Sequence, residues 1–244
     1  MPAETFLSVR KLGRRFTARR WFGRETSGPW AFRDISFDLG RGRTLGLVGP
    51  SGSGKTTLAR CVALFDPPTC GEILLDGRNV WDANRRDRGR LRSEIQLIAQ
   101  QPAAALNPRF TAGEIVAEPL LVQRLGTKAW RRRRAAELME MTGLDPRAAG
   151  NRALEFSGGE RQRLAIARAL ALDPRLLILD ESLSGLDVSV QAQIANLLLD
   201  LQARLGVTYI LISHDRSLVE RIADEIAILE EGGIAQRPAA GAGA

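Results

Sequence analysis

The stretch GPSGSGKTT, at residues 49 to 57, decides the fold of this chain. It follows the apolar run from Thr44 to Val48, typical of a buried strand, and leads into residues 56 to 64, which have a helical pattern. Its glycines let successive backbone N–H groups face one anion, and the helix N-terminus adds partial positive charge. A strand, a glycine loop and a helix in this order predict a phosphate-binding loop rather than a chance turn.

Nucleotide phosphates are the ligands that such a loop predicts. Lys55 is placed to reach the β- and γ-phosphates, and the Thr56 hydroxyl is placed to ligate Mg²⁺. The nucleotide-binding residues predicted here are Gly49, Pro50, Ser51, Gly52, Ser53, Gly54, Lys55, Thr56 and Thr57. We therefore expect ATP and Mg²⁺ as cofactors.

Length and composition fit one globular unit, since 44% of the 244 residues are hydrophobic. The N-terminus has no basic segment followed by an apolar one, and no apolar run approaches the length of a membrane span. Two cysteines beside a phosphate-binding loop imply reduced thiols rather than a disulfide framework, and no cysteine or histidine cluster suggests a structural metal. We expect a soluble or peripheral protein in a reducing cytoplasm.

The formal net charge of +7 comes mainly from arginine, with runs at residues 85 to 92 and 131 to 134. Such runs raise the hypothesis of nucleic-acid binding. Because no aromatic residues are interleaved with them, a solvated helix face is favoured. A basic surface beside anionic lipid headgroups is a third interpretation.

Most of the first third of the chain has sequence patterns typical of strands. Residues 5 to 16 predict a strand, and residues 17 to 30, with their glycines and proline, predict an irregular loop. Residues 32 to 39 alternate between apolar and polar, as a half-exposed strand does. The pair Asp76-Gly77, after a short apolar strand, predicts a hairpin.

The sequence pattern then becomes helical, and strand patterns return later in the chain. A strand at residues 94 to 99 ends at Gln100, and residues 112 to 144 have helical spacing. Two near-continuous apolar runs, at 175 to 179 and 207 to 212, predict buried parallel strands, with a helix from 188 to 205 between them. The last residues, 237 to 244, predict a disordered tail after one domain over residues 1 to 236.

Two carboxylates follow the apolar run that ends at Leu179. Acids at the C-terminal end of a buried parallel strand lie at the ligand edge of the sheet. Asp180 is then placed near Mg²⁺, and Glu181 is placed to take a proton from an attacking water. After a phosphate-binding loop, this interpretation is favoured over an ordinary acidic turn.

A second anion cradle is predicted at residues 157 to 163, SGGERQR, which open a helix. A serine and two glycines at a helix start offer backbone N–H groups, a hydroxyl and the helix dipole. One nucleotide does not need two cradles in one subunit, so the second one predicts contact with an ATP held by another subunit.

Six ordered motifs resemble those of ABC-transporter nucleotide-binding subunits. They are the phosphate-binding loop, Gln100, Ser157 with its neighbours, the Asp180-Glu181 pair, Ser184 to Asp187, and Ser213-His214-Asp215. The resemblance implies an α/β P-loop NTPase fold, with a RecA-like core, an antiparallel β subdomain and a helical subdomain near residues 102 to 165. It also implies two subunits that sandwich two ATP molecules head to tail.

The resemblance also implies residue roles. Gln100 would sense Mg²⁺, giving Thr56, Gln100 and Asp180 as the predicted metal residues, and His214 would touch the γ-phosphate beside the catalytic Glu181. The partner's ATP would be bound at Ser157, Gly158 and Gly159, with Asp187 across the dimer. An early aromatic residue would stack on adenine, and here Phe16 is the candidate, with Trp21 or Phe22 as alternatives.

One branch of the family is favoured. The segment QQPAAALNPR at residues 100 to 109 is similar to that of peptide and nickel importer ATPases, as are residues 186 to 193. The chain departs from the family's usual pattern at Ser182, where proline is common, and at Gln101, where aspartate is common. The turn at residues 230 to 233 and the short C-terminal segment also differ.

The function predicted is that of the ATPase subunit of an importer of peptide, nickel or a similar solute. Its expected partners are permease subunits, a second identical or sister ATPase and, indirectly, an extracytoplasmic solute-binding protein, at the cytoplasmic face of the inner membrane. The alternative is an ABC ATPase without a permease that acts on nucleic acid or ribosomes, which the motif spacing disfavours. A P-loop kinase would leave the second cradle unexplained.

Overall fold

The computed structural model describes residues 5–19, 25–230 and 232–236. The strands are β1 Thr5–Arg19, β2 Glu25–Gly40, β3 Thr44–Val48, β4 Cys70–Leu75, β5 Arg78–Asn79, β6 Ile95–Ile98, β7 Leu176–Asp180, β8 Thr208–Ile212, β9 Glu225–Glu230 and β10 Gly233–Gln236. The α-helices are α1 Lys55–Val62, α2 Arg85–Glu94, α3 Ala112–Val122, α4 Lys128–Met141, α5 Gly158–Leu170, α6 Val188–Leu205 and α7 Arg216–Ile222. Within the described residues, no helix has both the length and the apolar character needed to cross a membrane.

The chain divides into two compact units. The first contains residues 1–92 and 208–244, and the second contains residues 93–207. In the first unit, β2, β1, β4 and β5 form an antiparallel sheet in that order. In the same unit, β3 pairs in parallel with both β8 and β9, and β10 pairs antiparallel with β9.

The second unit contains a parallel strand pair and a group of helices. Strands β6 and β7 pair in register from Ile95 and Leu176 to Ile98 and Leu179. Helices α3 and α5 each begin with a capping box, in which Thr111 and Ser157 exchange hydrogen bonds with a glutamate three residues later. The boundary of the helical subdomain near residues 102 to 165 stays a prediction.

Apolar burial explains the strands that were predicted from continuous runs. Strands β7 and β8 are buried at each of their five positions, as the pattern predicts for parallel strands covered on both faces. The turn at Asp76 and Gly77 is also confirmed. It joins the pair Leu75 and Arg78, and both central residues have positive φ, +47° and +75°, as a type I′ hairpin turn requires.

The predicted irregular loop at residues 17 to 30 is wrong where the structure describes it. Strand β1 extends to Arg19 and β2 begins at Glu25, so these residues belong to a long antiparallel ribbon. β2 is the edge strand of its sheet, where a proline without an N–H is tolerated, and Pro29 falls at a register irregularity between two paired positions. Composition alone therefore overstated the loop character of this stretch.

Candidate nucleotide-binding site

The predicted phosphate-binding loop leads from β3 into α1 in the first unit. At two positions of this loop, both close packing and a positive φ angle require glycine. A Cβ on Gly49 would lie 2.1 Å from the Leu229 carbonyl oxygen, and one on Gly54 would lie 2.4 Å from the Ala31 carbonyl oxygen. Because Gly54 has φ +102° and is the N-cap of α1, the loop enters the helix without a side chain at that position.

Lys55 places its ammonium group within the loop. The side chain is 4% exposed, and Nζ donates hydrogen bonds to the carbonyl oxygens of Gly49, at 2.9 Å, and Pro50, at 2.7 Å. A longer contact of 3.4 Å reaches Ser53 Oγ. Thr56 is exposed at the start of α1. The loop therefore combines a fixed positive charge, a helix N-terminus and an accessible hydroxyl, the groups that bind phosphate.

A groove lies beside the loop in the first unit. Its lining residues come from β2, from the loop and from the turn before β10; they are Trp30, Ala31, Phe32, Arg33, Pro50, Ser51, Gly52, Ser53 and Gly232. Trp30 is 36% exposed, and its ring packs over Gly13, where a Cβ would lie 2.9 Å from Cζ3. The guanidinium carbons of Arg15 and Arg33 lie 5.6 and 5.4 Å from the centroid of the Trp30 ring.

Trp30 is a candidate functional residue that sequence reasoning missed. Trp30 falls within residues 17 to 30, which the sequence predicts to be an irregular loop. The signal that could have identified it is an aromatic residue two positions before the alternating run at residues 32 to 39. Phe16, the predicted adenine-stacking residue, is half exposed on β1 and stays a prediction. Its alternatives, Trp21 and Phe22, lie outside the described residues.

The sole histidine follows the C-terminal end of β8. This strand pairs in parallel with β3, with Leu47 opposite Ile212, and the Ser213 N–H donates to the Leu47 carbonyl oxygen at 3.4 Å. Because carboxyl ends of parallel strands meet at one edge of a sheet, the structure brings the segment of His214 to the edge where the phosphate loop begins. The His214 side chain is exposed there.

Asp215 fixes the backbone after this histidine. Its carboxylate caps α7 and accepts hydrogen bonds from the backbone N–H groups of Ser217, at 3.0 Å, and Leu218, at 3.2 Å. The Ser217 hydroxyl, together with these N–H groups, holds the pKa of Asp215 below its usual range. The segment that carries His214 is thus anchored both to β3 and to a helix cap.

In the second unit, the acidic pair ends β7. Asp180 is the last residue of the strand and is 2% exposed, whereas Glu181 lies in the left-handed region with φ +48°. Gln100, which follows β6, donates a hydrogen bond from Nε2 to Glu181 Oε2 at 2.9 Å. The structure therefore brings together two predicted site residues that are 81 positions apart.

The backbone of Glu181 is held by the turn that follows it. Its carbonyl oxygen accepts hydrogen bonds from the Ser184 hydroxyl, at 2.6 Å, and from the Ser184 N–H, at 3.2 Å. A left-handed conformation at a residue other than glycine costs about 1–2 kcal/mol and persists only where neighbouring contacts impose it. This turn and the Gln100 contact orient the carboxylate that the sequence predicts to be catalytic.

Ser182, the departure from the family's usual proline, is buried with an unsatisfied hydroxyl. It is 3% exposed, and its Oγ has no hydrogen-bond partner within the described part of the chain. Because a buried unpaired hydroxyl retains its desolvation cost, we expect Ser182→Ala to raise the free energy of unfolding by about 1 kcal/mol. Urea denaturation measures this change.

Ser184→Ala is the matched control, because it removes a hydroxyl that donates to Glu181. We expect this variant to lower the free energy of unfolding by about 1 kcal/mol, the opposite sign. A loss of stability in Ser182→Ala comparable with that in Ser184→Ala would contradict the assignment of Ser182 as an unpaired buried group.

The second cradle forms the N-terminus of α5. Ser157 is the N-cap, its Oγ accepts from the Glu160 N–H at 3.3 Å, and its own N–H donates to Glu160 Oε2 at 2.8 Å. Hydrogen bonding of the Glu160 carboxylate to the side chain and the backbone N–H of Ser157 holds the pKa of Glu160 below its usual range. The cap fixes a helix N-terminus at the residues predicted to contact a second nucleotide.

The start of α6 packs against this cradle. A Cβ on Gly159 would lie 2.7 Å from Val190 Cγ1, and one on Gly158 would lie 3.7 Å from Leu186 Cδ2. Asp187, the N-cap residue of α6, is exposed and makes no side-chain capping hydrogen bond. The structure therefore places Ser157, Gly158, Gly159 and Asp187 in neighbouring segments of the second unit.

Known proteins are similar to this sequence over nearly its whole length. The family described as ABC transporter matches residues 32–184. A Brucella ovis protein, named as a candidate peptide import ATP-binding protein, is 46% identical over 96% of this chain and 72% of its own length. The glutathione import ATP-binding protein GsiA of Salmonella paratyphi A is 46% identical over 97% of this chain, which spans 38% of that relative.

Solved structures share the fold. The dimeric ATP-binding cassette MJ0796, bound to ADP and Pi, superposes with a TM-score of 0.81 at 28% identity, over 96% of this chain and 98% of that one. The protein cbiO1 of Clostridium perfringens, part of the transporter complex cbiONQ, gives a TM-score of 0.84 at 26% identity, over 97% and 89% of the two chains. The predicted α/β P-loop fold is confirmed, and the chain belongs to the ABC transporter family as one of its ATP-binding ATPases.

Proposed function

We propose that this chain is the ATP-hydrolysing subunit of an importer that takes up peptides or small peptide-related solutes. The observation that carries the proposal is 46% identity, over 96% of the chain, to a relative named for peptide import ATP binding. The glutathione import relative, identical to the same extent, supports a small peptide as the class of solute. The alternative, an ABC ATPase without a permease that acts on nucleic acid or ribosomes, has no such support among the relatives described above.

The proposal assigns the triphosphate to the loop at residues 49 to 57 and Mg²⁺ to Thr56, Asp180 and Gln100. The donor set fits the ion, because hydroxyl, carboxylate and amide oxygens are the ligands that Mg²⁺ prefers. The exposed Thr56 hydroxyl and the carboxylate of Asp180 at the end of β7 would supply two of these oxygens. When bound, the ion would offset the charge on the β- and γ-phosphates.

Hydrolysis in this proposal depends on four side chains. Lys55 stabilises charge on the transferring phosphoryl group, and Glu181 accepts the proton of the attacking water. Gln100 orients the Glu181 carboxylate through the 2.9 Å hydrogen bond. His214, exposed beyond the end of β8, contacts the γ-phosphate.

The proposal includes a head-to-tail dimer. Ser157, Gly158 and Gly159 would present the capped N-terminus of α5 to the partner's ATP, with Asp187 beside them. The dimeric state of the MJ0796 cassettes supports this arrangement. Closure is then favoured by ATP because only the closed dimer lets one nucleotide contact both subunits. The partner would be an identical or a sister ATPase.

An importer needs further partners besides the two ATPase subunits. Permease subunits would anchor the ATPase at the cytoplasmic face of the inner membrane, and an extracytoplasmic binding protein would deliver the solute. Affinity purification from detergent-solubilised membranes, followed by mass spectrometry, tests this. We expect two multi-span proteins, an ATPase partner and a solute-binding protein. Recovery of ribosomes or nucleic acid without a membrane protein would contradict the importer.

A binding measurement shows which of two aromatic residues, Trp30 or Phe16, stacks on adenine. We expect Trp30→Ala to weaken ATP binding about tenfold, because stacking of one base on an aromatic ring contributes about 1–3 kcal/mol. Trp30→Phe should keep most of the affinity. Isothermal titration calorimetry measures both effects, with Trp130→Ala as the control, since Trp130 is 37% exposed and lies in the other unit.

The same titration on Phe16→Ala decides between the two aromatic residues. Loss of affinity in Phe16→Ala with full affinity in Trp30→Ala would contradict the assignment of Trp30 and support the sequence-based one.

A further inference from the structure

The connection between α3 and α4 exposes an unusual concentration of apolar side chains. Ten large hydrophobic side chains are exposed among the described residues, and four of them lie between residues 121 and 130. They are Leu121, Val122, Leu125 and Trp130, which are 59%, 71%, 45% and 37% exposed. Isolated exposed hydrophobic residues need no explanation, but a cluster within one connection indicates a contact surface.

The same stretch carries only positive charge. Residues 119 to 136 contain six cationic side chains and no carboxylate. Arg134 pairs with Asp173 at 2.6 Å, and Arg131 donates to the carbonyl oxygens of Leu125 and Gly126. Arg124, Lys128, Arg132 and Arg133 are exposed around the apolar cluster. We name residues 121 to 133 the α3–α4 corner.

The corner is an ordered part of the second unit. The Leu125 N–H donates to the Leu120 carbonyl oxygen at 2.8 Å, and Thr127 caps α4 by accepting from the Trp130 N–H at 3.2 Å. The indole of Trp130 covers Gly126, where a Cβ would lie 2.2 Å from the ring. The apolar and cationic side chains are therefore presented from a folded connection.

Acidic side chains flank the corner at Glu114, Glu118 and Glu137. Glu118 pairs with Arg168 at 2.8 Å, and Glu137 pairs with Arg134 at 3.4 Å. Glu114, in the first turn of α3, exchanges hydrogen bonds with Thr111 in a capping box. These hydrogen bonds, with smaller contributions from Lys128 and Arg132, hold the pKa of Glu114 below its usual range. Glu114 therefore stays ionised and offsets part of the nearby positive charge. Residues 121 to 133 contain five cationic side chains, so the corner keeps a cationic excess.

We propose that the α3–α4 corner binds the surface of an anionic lipid bilayer. Exposed leucine, valine and tryptophan side chains would enter the boundary between headgroups and acyl chains, and the surrounding cations would attract anionic headgroups. Tryptophan is suited to this boundary because its ring is apolar and its N–H is polar. The inference does not depend on the solute or on the transport proposal.

The apolar side chains favour lipid over nucleic acid. Phosphate contacts need cations, and binding to single strands needs aromatic platforms for stacking. Leucine and valine, which are the most exposed members of the cluster, supply neither. A bilayer surface uses both classes of side chain present in the corner, because apolar insertion and charge attraction act together.

Vesicle flotation of the full chain at low salt tests the proposal. The chain should bind vesicles of phosphatidylcholine with phosphatidylglycerol and should not bind phosphatidylcholine alone. The double variant Arg132→Glu with Arg133→Glu should lower the partition coefficient by about 25-fold or more, since each cation near an anionic surface strengthens binding about fivefold. Leu121→Ser with Val122→Ser should lower it about tenfold.

Arg85→Glu with Arg86→Glu is the matched control, because it makes the same change in charge on another exposed helix, α2. The control should keep vesicle binding, and every variant should keep wild-type ATPase activity in solution as evidence of folding. Equal loss in the control would overturn the proposal, since net charge alone would explain binding. Equal binding to neutral vesicles, full binding by the serine variant or tighter binding to a DNA duplex would also overturn it.

Discussion

Glu181→Gln is expected to leave ATP binding intact and to lower the rate of hydrolysis by about 10²- to 10⁴-fold, the contribution typical of a general base. Glutamine has the shape of glutamate but does not accept a proton from water. Its side-chain oxygen can still accept the hydrogen bond that Gln100 donates to Glu181. The variant therefore removes the proton acceptor while it preserves this contact.

Backbone geometry gives further reason to expect a specific effect. Glu181 has φ +48°, and Ser184 holds its carbonyl oxygen with two hydrogen bonds. Because these contacts involve the main chain, they persist when the side chain changes. Loss of activity in Glu181→Gln would then report the chemistry of the carboxyl group rather than a displaced strand end.

Single-turnover hydrolysis and equilibrium ATP binding, measured on the same samples, separate the two effects. Glu220→Gln is the matched control, since Glu220 is an exposed carboxylate that pairs with Arg216 on α7. We expect this control to hydrolyse ATP at the wild-type rate. Near wild-type turnover in Glu181→Gln would show that another group activates the water.

Continuous apolar runs and one turn motif predicted much of the fold. β3 and α6 have the predicted bounds, because a short apolar run before a glycine loop favours a buried strand and a long pattern with helical spacing favours a helix. The ribbon of β1 and β2 was missed where glycine and proline fall in it. Those residues weaken a strand prediction, but pairing with a neighbouring strand overrides local preference.

Some features of the candidate site could be predicted from the sequence, and others could not. Motifs within one segment, such as residues 49 to 57, could be predicted because the chemistry needs adjacent residues. The hydrogen bond between Gln100 and Glu181 joins segments 81 positions apart, so it depends on the pairing of β6 with β7. The groove beside Trp30 is a property of packing, which one sequence does not reveal. The same holds for the buried Ser182 hydroxyl, which has no hydrogen-bond partner among the residues that the structure describes.

Lys55→Ala is expected to weaken ATP binding about 100-fold and to lower turnover as well. Lys55 is 4% exposed, and the carbonyl oxygens of Gly49 and Pro50 fix the position of its ammonium group. A hydrogen bond between a cation and a charged ligand contributes about 1.5–3 kcal/mol, or about 10- to 150-fold in affinity. Alanine keeps the helical backbone but removes the charge from the loop.

Two variants separate the geometry of Lys55 from its charge. Lys55→Arg keeps the charge, but a planar guanidinium presents its donors differently from an ammonium, so we expect affinity between those of wild type and Lys55→Ala. Lys11→Ala removes one positive charge from an exposed position in the same unit and should bind ATP as wild type does. Calorimetric titration with ATP measures all three. Unchanged affinity in Lys55→Ala would refute the phosphate-binding role, whereas equal losses in Lys11→Ala and Lys55→Ala would reduce that role to net charge.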